Sequence, residues 1–177
     1  KIALADIGVI KTAMELASHS DIGIIAIAFG IIRHLSVPML LKRKLSDCGI
    51  VSMMVQCVSQ SDNEELCYEC SSSMANMAEH AQNRLNLVQF GVVPCLVFLC
   101  NHTSFRVKRE TARAFSLLSS SPELVGVFDE HILPHILTLL RTQEEETGRD
   151  GASTVFNIST GPEMIKLVGA MGGIAPL

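Results

Sequence analysis

The stretch GVVPCLVFL, Gly91 to Leu99, sets a glycine in front of an apolar run and places Pro94 three residues after that glycine. The pattern returns along the chain, as GVIKTAMEL from Gly8, GIVSMMVQC from Gly49, HILPHILTL from His131 and GIAPL from Gly173. These anchors lie 41, 42, 40 and 42 residues apart. Val or Ile follows each anchor, and Pro94, Pro134 and Pro176 hold the same place in their units.

Two further features keep the same period. Pro38, His80, Pro122 and Pro162 are spaced by 42, 42 and 40 residues. His34, Asn76, Leu117 and Asn157, in IRHLS, ANMAE, SLLSS and FNIST, are spaced by 42, 41 and 40. Self-similarity at this period is the signature of a stacked repeat array.

Each unit reads as three helices. A short one starts at the Pro or its equivalent, as in SPELVGVF, with Ser121 placed to cap and Pro122 at the first helical position. The anchor glycine then breaks the chain with a positive φ. A second helix, such as VVPCLVFLC, is followed by a loop with Ser61-Asp62 or Thr103-Ser104 as cap candidates. The third and longest is RVKRETARAFSLLS, whose Val107, Ala114, Phe115 and Leu118 form an apolar stripe. No unit of this size buries its apolar face alone, so stacking makes one continuous core and the fold expected is an all-α superhelix.

Composition agrees. The 177 residues are 48% hydrophobic and 18% charged, with one Tyr and no Trp, so Ala, Leu, Ile, Val and Met must do the packing. The net charge of −4, with both signs interspersed, argues against a nucleic-acid partner, which requires a basic face. The apolar run from Ile22 to Ile32 is too short to span a bilayer, which needs about 20 residues. Six cysteines in a chain that is neither short nor loop-rich read as free thiols in a reducing, intracellular setting, cytoplasmic first, with nucleus and cilium as alternatives.

With the period in place, the sequence resembles the armadillo-repeat family. The glycine between first and second helices, the Gly-[Ile/Val]-x-Pro-x-Leu start of the second helix at Gly91, and the Asn76-Met77-Ala78 and Asn157-Ile158-Ser159 ends of the third carry the likeness. It covers the whole chain: a partial repeat over 1–48, repeats over about 49–90, 91–130 and 131–172, and the start of another at 173–177. The pattern is under way at Lys1, which implies a piece of a longer solenoid.

The resemblance implies a right-handed superhelix whose third helices line a concave groove, where an Asn near their C-terminal ends hydrogen-bonds the backbone of an extended peptide. Asn76 and Asn157 hold that position, and His34 and Leu117 replace it in the other repeats. The Trp that family members engaged in nuclear import place one turn earlier is replaced by Gly30, Ser72, Arg113 and Ser153, so binding of nuclear-localisation signals is not expected. At spacings of three to four, the groove stripe comprises Glu65, Tyr68, Glu69, Ser72 and Asn76, then Arg109, Arg113 and Leu117, then Arg149, Ser153 and Asn157. This predicts an acidic patch beside a basic one, a pattern that steers a partner segment carrying both signs.

Motifs that suggest other chemistry find simpler places in the period. Asn101-His102-Thr103 and Asn157-Ile158-Ser159 match glycosylation acceptors, but Asn157 falls at the end of a packed helix. Cys67-x-x-Cys70 lies inside a helix and lacks the second ligand pair a zinc site wants. His131 and His135 are separated by Pro134, which places His131 in the preceding turn. Glu144–Glu146 open the fourth long helix at the positive end of its dipole. Neither the serine clusters nor the methionines suggest catalysis, so the expectation is a non-enzymatic scaffold with no cofactor or metal, binding a peptide segment or helix of a protein partner. The resemblance also allows a targeting part of a larger enzyme, such as a ubiquitin ligase or exchange factor, or an architectural role in a cytoskeletal or ciliary assembly.

Overall fold

Three glycines in the left-handed region set the rhythm of the chain: Gly8, Gly49 and Gly91, with φ of 88°, 87° and 82°, each stand immediately before a helix. The computed structural model describes residues 8–173. In order these form α1 (Val9–Leu16), α2 (Ile22–Ser36), α3 (Met39–Asp47), α4 (Ile50–Ser59), α5 (Glu64–Ala78), α6 (Ala81–Gln89), α7 (Val92–Leu99) and α8 (Phe105–Ser119). A 3₁₀ helix over Pro122–Val127, then α9 (Leu133–Leu140), α10 (Glu145–Ile158) and α11 (Pro162–Ala170), complete the series. No strand occurs among the described residues.

The third helices of the period, α2, α5, α8 and α10, stack side by side as the most extensive contacts in the molecule. The shorter helices form the layer behind them. One apolar core runs through the stack, from Phe29 and Ile32 on α2 through Met74 and Met77 on α5 to Val107, Phe115 and Leu118 on α8. Phe115 meets Phe128, just past the 3₁₀ helix, edge to face at 6.1 Å. At Gly151, α10 lies close against the backbone of α9. A Cβ on Gly151 would stand 2.7 Å from the Leu140 nitrogen, so only glycine lets α10 lie this close.

Local details depart from the sequence reading in five places. The first helix of the third period is a 3₁₀ helix, with Pro122 at its start but no side-chain cap from Ser121. The Ser121 hydroxyl accepts instead from Arg84 Nη1 at 3.1 Å. Asn63, not Ser61 or Asp62, caps α5 by accepting from the Leu66 N–H at 3.0 Å. Ser104 stands at the N-cap of α8 but spends its hydroxyl on Glu64, 2.8 Å away. At the fifth anchor the positive φ, 71°, belongs to Gly172, and the residues after Gly173, including Pro176, lie outside the described part. Lys1, in the partial first repeat, likewise lies outside it. Glu144 caps α10 as its position suggests, accepting from the backbone N–H of Glu146 and Thr147.

Candidate functional site

The exposed edge of the third-helix layer carries the register positions read from the sequence, and the structure places them at two depths. On α5, Glu69, Ser72 and Asn76 are buried, between the flanking helices α2 and α8. Tyr68 is half-buried, while Arg109 and Arg149 are exposed and Arg113, Ser153 and Asn157 are intermediate. The α5 residues therefore form a floor rather than a projecting stripe.

The expected acidic and basic patches are not separate fields. Arg33 on α2 hydrogen-bonds Glu69 on α5. Arg106 on α8 reaches Glu65 at 3.5 Å and stacks over the Tyr68 ring at 4.0 Å, with the Arg33 guanidinium 5.5 Å from the same ring. Arg109 reaches Glu146 on α10 at 3.3 Å, and Arg149 pairs with Glu145 at 3.0 Å on its own helix. Both signs are thus largely compensated at the surface, because residues one period apart come within reach of each other when the helices stack.

The densest part of this network surrounds Arg113. Its Nη2 donates to Asn76 Oδ1 at 2.7 Å and its Nη1 to Glu79 Oε1 at 3.0 Å. A single Glu110 oxygen, Oε2, accepts from both Nε at 3.0 Å and Nη2 at 2.7 Å. Asn76 Nδ2 donates to Ser36 Oγ at 2.9 Å, and the Asn76 main-chain carbonyl accepts from the buried Lys42 Nζ at 2.7 Å. Lys42 also pairs with Glu79. Asn76, only 8% exposed, has both ends of its amide engaged and offers neither to a peptide as the structure stands. Asn157 differs: Nδ2 donates to Ser119 Oγ at 3.1 Å and weakly to the Ser116 carbonyl at 3.4 Å.

Two depressions lie on this face. One of about 460 Å³ between α2 and α5 has Ala26, Ile27 and Gly30 in its lining, with Arg33, His34 and Glu69 as polar neighbours. The other, about 430 Å³, lies between α8 and α10 and is lined by Arg109, Glu110, Arg113, Glu146, Arg149 and Asp150. Desolvation raises the Asp150 carboxyl above its usual value, although Arg113 and Arg149 oppose this.

The residues that sequence reading passed over are Arg33, Lys42, Glu79 and Glu110. A signal existed for Glu110: Glu69, Glu110 and Asp150 stand one period apart, 41 and 40 residues, at a single register position. The cysteines act as packing. Cys67 and Cys70 are buried in α5, and burial first, then Asp62, pushes the Cys67 thiol up to about 11. His131 lies exposed in the turn before α9. Asn101, in the α7–α8 loop, is exposed. No helix of the described residues is long and apolar enough to cross a membrane.

Helices stacked at a constant period, with their longest members side by side, define a helical-repeat solenoid. The Armadillo/beta-catenin-like repeat family model matches residues 80–120, the period containing α6, α7 and α8. Vacuolar protein 8 of Yarrowia lipolytica (strain CLIB 122 / E 150) is 25% identical over 146 residues, covering 81% of this chain. The chain spans about a quarter of the length of that curated relative. Computationally designed armadillo repeat proteins for modular peptide recognition superpose with a TM-score of 0.89 at 20% identity, over 98% of this chain and 75% of theirs. A designed armadillo repeat protein in complex with the peptide (KR)4 gives 0.86 at 21%, over 98% and 74%. Residues 80–120 thus match an armadillo repeat, and the fold of the chain is the all-α armadillo superhelix.

Proposed function

We propose that this chain is a non-enzymatic binding scaffold that holds a segment of a protein partner against the face formed by α2, α5, α8 and α10. The observation that carries this reading is the continuity of that face. Four third helices present two depressions, one with Ile27 and Gly30 in its lining and one polar, along a single edge of the stack. The (KR)4 complex of a designed relative supports it by analogy, since that protein of the same fold takes a peptide. Asn157, Arg109, Arg149 and Ser153 are the proposed direct contacts, with Tyr68, Glu69 and Ser72 forming the floor beneath. Asn76 and Arg113 contribute only after they part from each other.

The six free thiols support a reducing, intracellular setting. The partner is a protein rather than a nucleic acid, because every arginine named on this face already has a carboxylate neighbour. The test is to select 12-residue peptides on the parent chain and measure them on Asn157→Ala and Arg109→Ala variants. A several-fold loss on both supports the reading, and unchanged affinity on both overturns it.

A further inference from the structure

At the register position one turn before the terminal Asn, three of the four third helices carry small residues: Gly30, Ser72 and Ser153. Arg113 is the long side chain there, and it folds into a cluster of acceptors from its own helix and from the neighbouring α5. Those acceptors are Asn76 Oδ1 from α5, Glu79 Oε1 at the α5 C-cap, and the Glu110 carboxylate from α8, all within 3.0 Å of guanidinium nitrogens. Four hydrogen bonds from three acceptor groups around one planar cation constitute a guanidinium-recognition geometry.

We propose that Asn76, Glu79 and Glu110 form a binding site for an arginine or lysine side chain of the partner segment, and that the chain's own Arg113 occupies it in the unbound state. The inference rests on the groove reading and adds to it the chemistry of the partner and a barrier to its entry. The carboxylate is the hidden member and the cation the accessible one: the Glu110 side chain is 9% exposed and that of Arg113 30%. An incoming cation therefore meets Arg113 first and must displace it. Glu79 keeps Lys42 and Glu110 keeps Arg109, 3.7 Å from its other oxygen, so both carboxylates stay organised when Arg113 leaves. Displacement leads outward into the depression between α8 and α10, whose lining includes Asp150 and, beside its Arg109 partner, Glu146. An exchange of one cation for another keeps the buried Glu110 carboxylate hydrogen-bonded, whereas removing the arginine without replacement would leave it only the Arg109 pair at 3.7 Å.

The test uses an eight-residue alternating Lys–Arg peptide on the parent chain and on R113Q, R113Q/E110Q and K166Q, at one fixed ionic strength. Lys166 is exposed on α11, so K166Q reproduces the change in net charge away from the site. R113Q is expected to bind at least tenfold more tightly than the parent, R113Q/E110Q to lose that gain, and K166Q to show none. Equal affinity of R113Q and the parent, or an equal gain in K166Q, overturns the proposal. A second readout needs no substitution: on the parent chain, saturating peptide is expected to shift the Arg113 Nε–Hε resonance and speed its solvent exchange. Peptide bound on the third-helix face with that resonance unmoved overturns the displacement alone. Peptide bound elsewhere overturns the groove reading itself.

Discussion

Arg113 Nη2 donates to Asn76 Oδ1 across 2.7 Å, joining α8 to α5 through two residues that stand at adjacent positions of the repeat register. The contact ties a helix-stacking interaction to the binding face, so stability and recognition draw on the same side chains. It also gives Glu110, 7% exposed, its principal counter-ion.

Removing Arg113 without touching Glu110 takes the hydrogen-bonded cation from a buried carboxylate and leaves it the looser Arg109 pair at 3.7 Å. Arg113→Ala is expected to cost about 3 kcal/mol, within the range for breaking a buried pair from one side. Arg113→Ala with Glu110→Gln should recover a large part of that, because the neutral amide no longer needs a cation. Urea unfolding of the two variants measures the difference, and equal destabilisation would show that Glu110 is not the stranded group.

At Gly49 the constraint is backbone conformation, not space. Its φ is 87° and a Cβ there would meet nothing within 4 Å. Gly49→Ala should cost about 1–2 kcal/mol through left-handed strain. Gly126 in the 3₁₀ helix has equally open space without a positive φ. Gly126→Ala should be neutral or slightly stabilising, and thermal unfolding of the pair isolates the φ effect.

Gly151 is the reverse case, limited by space alone. Its Cβ would sit 2.8 Å from the Leu140 Cα, which is backbone and cannot swing aside. Gly151→Ala is expected to push α10 off α9 and cost about 2–3 kcal/mol. A chemical-shift map should place the disturbance at Leu139 and Leu140.

Two carboxylates on α10 give opposite pH signatures. Glu144 is held below 4.5 by hydrogen bonds from Thr147, first its hydroxyl and then its N–H. A depressed carboxyl contributes stability above its unfolded value that is lost as pH falls through its folded one. Glu144→Gln should therefore destabilise at pH 7 and matter little at strongly acid pH. Asp150 is raised above 3.8 chiefly by desolvation, so its ionisation opposes folding once pH rises through that folded value. Asp150→Asn should stabilise at pH 7 and lose that advantage toward pH 3, as unfolding midpoints across pH will register.

The sequence made the solenoid legible because the period is carried by several residue types with separate physical duties. Gly8, Gly49 and Gly91 do adopt the left-handed turn that their recurrence implies. Val107, Ala114, Phe115 and Leu118 are buried as their helical spacing requires. Ser121 and Ser104 misled because a hydroxyl beside a helix start has other bonding choices, and Arg84 and Glu64 supplied them. On the binding face, register identified which residues share a row, but not that Arg33 meets Glu69 or that Arg113 meets Asn76 and Glu79. Those pairs span 34 to 37 residues and depend on side-chain reach between stacked helices, which a one-dimensional period does not encode.

The central claim is that the partner segment lies on the third-helix face. The most direct measurement is a backbone amide chemical-shift footprint of a 12-residue peptide selected on the parent chain. The account expects perturbations along α5, α8 and α10, centred on Arg109, Arg113, Ser153 and Asn157, with α3, α6 and α11 silent. A footprint confined to α3, α6 and α11, with those four residues unmoved, would contradict it.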